Sequence, residues 1–92
     1  MDIKKVEGKE GADIFLYTLS TCVWCGKTKK WLKKRGLAYR FVDVDLAGPE
    51  EKETLLGEIR RWNQKGSFPT MVIDGRDVIV GFKPEKFKEL LK

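Results

Sequence analysis

Apolar and polar residues alternate along the chain in blocks that change period, and those changes mark the elements. Ile14–Phe15–Leu16–Tyr17 is a short continuous apolar run, the pattern of a strand covered on both faces. Thr18–Leu19–Ser20–Thr21 follows, rich in the hydroxyls that cap helix N-termini, with Thr21 as the candidate cap. A helix is predicted over residues 22–35. Cys25, Thr28, Leu32 and Arg35 share one side, Trp24 and Trp31 broaden the less polar flank, and Gly36 suits the position just past its end. Residues 39–44 read as a second strand. Gly48–Pro49–Glu50–Glu51 opens a second helix, whose stripe is Leu55, Leu56, Ile59 and Trp62.

Met71–Val72–Ile73 and Val78–Ile79–Val80 bracket Asp74–Gly75–Arg76–Asp77, and an Asp-Gly pair between apolar runs predicts a hairpin. A last helix begins near Pro84–Glu85 and buries Phe87, Leu90 and Leu91. The order β-α-β-α-β-β-α implies an α/β fold. Parallel strands joined by crossover helices precede an antiparallel hairpin, in a four-stranded mixed sheet flanked by helices. Residues 1–92 are expected to be one domain, with 1–12 a loose lead-in.

The chemistry is concentrated in Cys22–Val23–Trp24–Cys25, at the predicted junction of first strand and first helix. Backbone N–H groups left unpaired at a helix start, together with the helix dipole, stabilise an anion. For a thiol that anion is the thiolate, and such placement carries a thiol from ~8.5 to between ~3.5 and ~7.5. Cys22 is expected at the exposed edge as nucleophile, and Cys25, nearly one turn on, as the sulfur that resolves a mixed disulfide.

Composition changes this picture little. Two cysteines are too few for the scaffold of a small secreted protein, and no apolar run approaches the ~18–20 residues of a membrane span. The first thirteen residues lack an apolar signal core, so the expected location is the cytoplasm. The net charge of +5 includes the run Lys27, Lys29, Lys30, Lys33, Lys34 and Arg35. Such a run beside Trp31 invites a nucleic-acid reading, but a solvated helix face explains it better, and no nucleic-acid or membrane partner is expected. Lys27 is near enough to assist a thiolate, whereas Lys29 lies ~10 Å along the helix from Cys22 and is expected to add little.

The sequence resembles the glutaredoxin family of the thioredoxin superfamily, including the NrdH-type redoxins. The resemblance covers residues 13–91 and rests on three pieces in order. These are Leu16–Tyr17–Thr18 before Cys22–Val23–Trp24–Cys25, then Ser67–Phe68–Pro69–Thr70, then Gly81–Phe82–Lys83–Pro84. It implies a thioredoxin-like fold and dithiol reduction of protein disulfides through a redox-active Cys22–Cys25 pair, with no bound metal or organic cofactor, in a monomer. It also implies a cis proline at Pro69, before which the Phe68 backbone would pair with an extended substrate peptide. Tyr17, Thr21, Val23, Trp24, Phe68, Pro69 and Gly81 become candidate substrate-binding positions.

Two departures leave the reductant open between glutathione and a thioredoxin reductase. Glutathione-using members usually carry a basic residue shortly before the first cysteine, where Thr18, Leu19, Ser20 and Thr21 are all uncharged. They also carry a Gly-Gly pair and an aspartate near the last helix, where this chain has Val80–Gly81–Phe82–Lys83–Pro84.

Blander readings stand beside these. Tyr17 suits simple strand packing as well as cleft lining, Thr21 a structural cap, and Trp24 either a substrate platform or packing. The rival for the cysteines is a soft-metal carrier, in which two thiolates hold an ion such as Cu(I). A closed zinc site or shared iron–sulfur cluster would need ligands beyond two thiolates in a chain with no histidine.

Overall fold

The computed structural model describes residues 3–91. Its strands are β1 (Lys4–Val6), β2 (Ile14–Thr18), β3 (Tyr39–Asp43), β4 (Thr70–Ile73) and β5 (Asp77–Val80). Its helices are α1 (Val23–Lys34), α2 (Pro49–Trp62) and α3 (Pro84–Leu90), and a single 3-10 turn, Val44–Leu46, follows β3. The strands form one sheet in the order β1-β3-β2-β4-β5. β2 and β3 run parallel; β1 is antiparallel to β3, β4 to β2, and β5 to β4.

The expected architecture is present with one strand more than the four predicted. The addition comes from the segment expected to be a loose lead-in. Lys4, Lys5 and Val6 pair with Phe41, Arg40 and Tyr39. Lys9 then forms a bridge with Leu37, donating to the Gly36 carbonyl at 2.6 Å and accepting from Ala38 N–H at 3.0 Å. Gly8 permits this approach, since a Cβ there would lie 2.7 Å from the Gly36 oxygen. A three-residue strand with exposed lysines carries no apolar periodicity, so only the partner edge reveals it.

Alternation along β2 sorts the core into two layers. Ile14 and Leu16 join Met71, Ile73 and Ile79 beneath Leu32 of α1 and Phe87 of α3. On the other face Tyr17 joins Val42 and Val72 beneath Leu55 and Ile59 of α2. This is why the β2 sequence is continuously apolar. Leu56 is only half-buried and Trp62 is exposed, so the apolar stripe of α2 narrows to Leu55 and Ile59.

Two turns follow sequence rules closely. α1 ends with Gly36 N–H donating to Lys33 O at 2.9 Å and Leu37 N–H to Leu32 O at 3.1 Å, a Schellman closure with Gly36 at φ +69°. The hairpin turns through Asp74 (φ 55°) and Gly75 (φ 62°), both left-handed as a primed turn demands. The Asp74 carboxylate also accepts from Asp13 N–H at 2.8 Å.

Leu32 is fully buried where α1 meets the sheet. Leu32→Ala is expected to cost about 2–5 kcal/mol, measured by urea unfolding, with an unchanged m-value.

Candidate active site

Because β2 and β3 are parallel while β4 runs against them, the ends of β2, β3 and β5 meet the start of β4 at one edge of the sheet. Ligands of such sheets bind outside the carboxyl ends of the strands. Leu19–Cys22, the 3-10 turn, Phe68–Pro69 and Gly81–Phe82 all emerge there.

β2 ends at Thr18, and the chain turns with Cys22 N–H donating to Leu19 O at 3.1 Å. Cys22 itself is the N-cap of α1, with extended backbone (φ −82°, ψ 117°), and its sulfur accepts the Cys25 N–H at 3.1 Å. Thr21, the predicted cap, is displaced from that role and lies exposed in the turn. The spacing explains the exchange. A side chain at the N-cap reaches the N–H three residues on, and C-x-x-C supplies a sulfur acceptor at that separation.

The two sulfurs occupy opposite environments. Cys22 is partly exposed, whereas Cys25 is 0% exposed, on the α1 side that also buries Thr28 and Leu32. Burial, followed by hydrogen bonding to the Cys22 sulfur, pushes the Cys25 thiol up to about 12. The Leu19 backbone and the positive charge of Lys29 pull the other way. Lys29 thus departs from the solvated-face expectation. Its ammonium sits 3.2 Å from Asp43 Oδ1 and 4.0 Å over the Phe41 ring, and the same carboxylate oxygen accepts from Thr18 Oγ1 at 2.6 Å. Thr18 Oγ1 also lies 3.1 Å from the Val42 carbonyl.

A second brace holds the turn from outside. Asp45 accepts the Ser20 N–H at 2.8 Å on one oxygen and the Ser20 hydroxyl on the other. Those two bonds hold the Asp45 carboxyl below its ordinary range. Sequence reading missed Asp43 and Asp45 because their partners are 14 and 25 residues away. The acidic spacing Asp43–Val44–Asp45 at a strand end is the signal that could have found them.

The remaining candidates separate. The Phe68–Pro69 bond is cis, as the resemblance implies. Pro69 is buried one residue before Thr70, which pairs with Tyr17, and Pro69 O accepts from Gly81 N–H at 2.9 Å. Gly81 has φ +88° at the end of β5. Pro69 and Gly81 therefore stand at the cysteine edge. Phe68 packs in part against the layer under α2. Tyr17 points to that layer too. At 6% exposure, with its hydroxyl donating to Glu58 at 3.0 Å, it is a packing residue rather than the lining of an open cleft. Val23 and Trp24 are exposed at 69% and 54%. Trp24 stacks on Phe82 at 6.1 Å, and Lys27 lies 4.6 Å over the Trp24 ring.

The sequence profile of the glutaredoxin family matches residues 14–78, from β2 through the cysteine pair to the start of β5. The chain belongs to the glutaredoxin family. A glutaredoxin-like 8.6 kDa protein of the Clostridium pasteurianum rubredoxin operon is 36% identical over 80 residues, 86% of this chain and 97% of that protein. The glutaredoxin of Methanosarcina mazei Go1 superposes with a TM-score of 0.87 at 41% identity, covering 95% of this chain and 84% of its own. Methanosarcina acetivorans methanoredoxin does so with a TM-score of 0.83 at 44% identity, covering 86% and 83%. This glutaredoxin-family redox protein has a thioredoxin-like fold, and among its described residues no helix is long and apolar enough to cross a membrane.

Burial also pushes Tyr17 up to about 12, with Glu58 adding to it. Folded Cys25 and Tyr17 keep protons that the unfolded chain loses from about pH 9 and 10 upward. The folded state then binds more protons, and the reduced protein is expected to lose stability as pH rises from about 9 towards 12. Oxidation to the Cys22–Cys25 disulfide removes the thiol and should flatten the lower part of that decline. Urea midpoints measured at each pH, reduced and oxidised, check both.

Proposed function

We propose that this glutaredoxin is a dithiol oxidoreductase that reduces protein disulfides. The observation carrying the reading is the asymmetry of the pair: an accessible sulfur capping a helix, followed by a fully buried sulfur whose proton is firmly held. Only the thiolate attacks a disulfide, so the accessible sulfur is the nucleophile and the buried one waits.

Cys22 thiolate attacks one sulfur of the substrate disulfide. The substrate S–S bond breaks as the Cys22–substrate bond forms, and the departing thiolate takes up a proton. Cys25 then gives up its proton and attacks the Cys22 sulfur. The Cys22–substrate bond breaks as the Cys22–Cys25 bond forms, and the second substrate sulfur leaves as a thiolate; with one proton from Cys25 and one from solvent, the substrate has gained two electrons and two protons. Lys29, whose charge opposes the effect of burial on Cys25, favours that second deprotonation. A reductant supplying two electrons closes the cycle, in a reducing compartment such as the cytoplasm.

The stretch after β5 favours a thioredoxin reductase over glutathione as that reductant. Lys83 is the N-cap of α3 and its side chain makes no cap hydrogen bond, no second glycine follows Gly81, and the acid of the first turn is Glu85 rather than an aspartate at the helix start. The soft-metal alternative uses the same sulfurs. Copper carriers alternate as βαββαβ, whereas here α2 precedes the hairpin.

Insulin-disulfide reduction tests the reading. Cys22→Ser is expected to abolish turnover. Cys25→Ser is expected to accumulate a mixed disulfide on Cys22, visible by intact mass, with multiple turnover reduced at least about tenfold. A stoichiometric metal on purified protein with no disulfide reduction would overturn it in favour of metal carriage. For the reductant, NADPH with thioredoxin reductase should recycle the oxidised pair faster than glutathione with its reductase. Equal or faster recycling by glutathione would reverse that assignment.

A further inference from the structure

One face of α1 continues away from the cysteines as an aromatic and basic stripe. Trp24, Lys27, Lys30, Trp31 and Lys34 recur at the three- and four-residue spacing that places side chains on one side of a helix. With Lys33 and Phe82, the last four of these line a shallow groove of about 520 Å³. Trp24, stacked on Phe82, connects the groove to the exposed end of the cysteine site.

Three observations separate this stripe from an ordinary solvated face. No carboxylate among the described residues lies within ion-pair distance of Lys27, Lys30, Lys33 or Lys34, although Arg40 and Lys88 elsewhere pair with Asp13 and Glu85. Complementing the helix dipole accounts for Lys33 and Lys34 in the last turn but not for Lys27 and Lys30 further up. The aromatic rings are also held in place. Trp31 meets the Phe87 ring edge-on at 5.1 Å, Phe82 meets Phe87 at 5.9 Å, and the Arg35 guanidinium lies 4.5 Å over Trp31. A preformed apolar floor ringed by cations, with no described carboxylate at ion-pair distance from those lysines, is charge-complementary to an acidic partner carrying an aromatic or aliphatic side chain.

We infer that this groove docks an acidic, apolar-anchored segment of the protein whose disulfide the Cys22–Cys25 pair reduces. The inference rests on the dithiol reading and adds to it the chemistry of the substrate. An acidic flank reaching the lysines while an aromatic or aliphatic residue meets Trp31 and Phe82 would bring the neighbouring disulfide beside Cys22. Selectivity then comes from a surface that takes no part in bond making, and it acts mainly on encounter rate.

The test uses two disulfide-bridged peptides that share a phenylalanine and differ in flanks of glutamate or lysine, with neutral bis(2-hydroxyethyl) disulfide as the small substrate. At low salt the wild type is expected to reduce the glutamate peptide at least about tenfold faster than the lysine peptide, an advantage lost at 0.5 M NaCl. Lys30→Glu/Lys33→Glu should abolish the preference and leave the small disulfide unaffected. Lys30→Ala/Lys33→Ala should show the same trend more weakly, and circular dichroism confirms folding of both. Equal peptide rates in an active wild type, or a preference surviving both variants, would overturn the docking surface alone. A wild type inert toward all three disulfides would overturn the dithiol reading and this inference with it. Tight binding of a single-stranded oligonucleotide, lost in the reversal variant while the peptides are treated alike, would assign the groove to nucleic acid instead.

Discussion

The first turn of a helix has peptide N–H groups that no helical carbonyl can reach, and here one of them, from Cys25, is met by a sulfur atom. That contact fixes much else. It requires Cys22 to leave the strand-to-helix turn in extended conformation, which puts its sulfur at the helix mouth and partly in solvent. It also sets the phase of α1. With Cys22 at the N-cap, Cys25, Thr28 and Leu32 face the sheet while Trp24, Lys27 and Lys34 face out. One contact between a side chain and a backbone N–H thus divides the two cysteines into an accessible and a buried sulfur, and it also determines which side of the helix faces solvent.

The turn that presents Cys22 is braced from both sides by carboxylates of one short segment. Asp43, at the last position of β3, holds Thr18 and Lys29 beneath the turn, and Asp45 holds Ser20 on its outer side. Because β2 and β3 run parallel, the residues that follow each strand emerge side by side, and the braces reach the turn without a long loop. The buried end of this arrangement places a cation where it opposes the burial of Cys25, while the exposed end contacts solvent. Structural support and electrostatic tuning of the site are therefore supplied by the same few side chains.

Much of this was legible beforehand. The hairpin, the glycine closure of α1, the proline start of α2 and the position of the cysteine pair follow from local rules, because each depends on residues within one turn of another. Less legible were features whose cause is distant in sequence. β1 has no apolar period and exists because β3 offers an unpaired edge. Lys29 looked like one more surface lysine, since its partner Asp43 is fourteen residues on. Tyr17 fitted cleft or core equally until α2 and Glu58 were seen to cover it.

The sequence by itself determined the elements, their order, and a pair of thiols at a helix start, because hydrophobic period, caps and turn residues act over a few bonds. The tertiary structure decided which residue capped that helix and which carboxylates braced the turn. It also showed which aromatic rings of α1 and the segment after β5 form one partly exposed surface. Those outcomes depend on strand register and on which faces the helices cover, which only the assembled chain establishes.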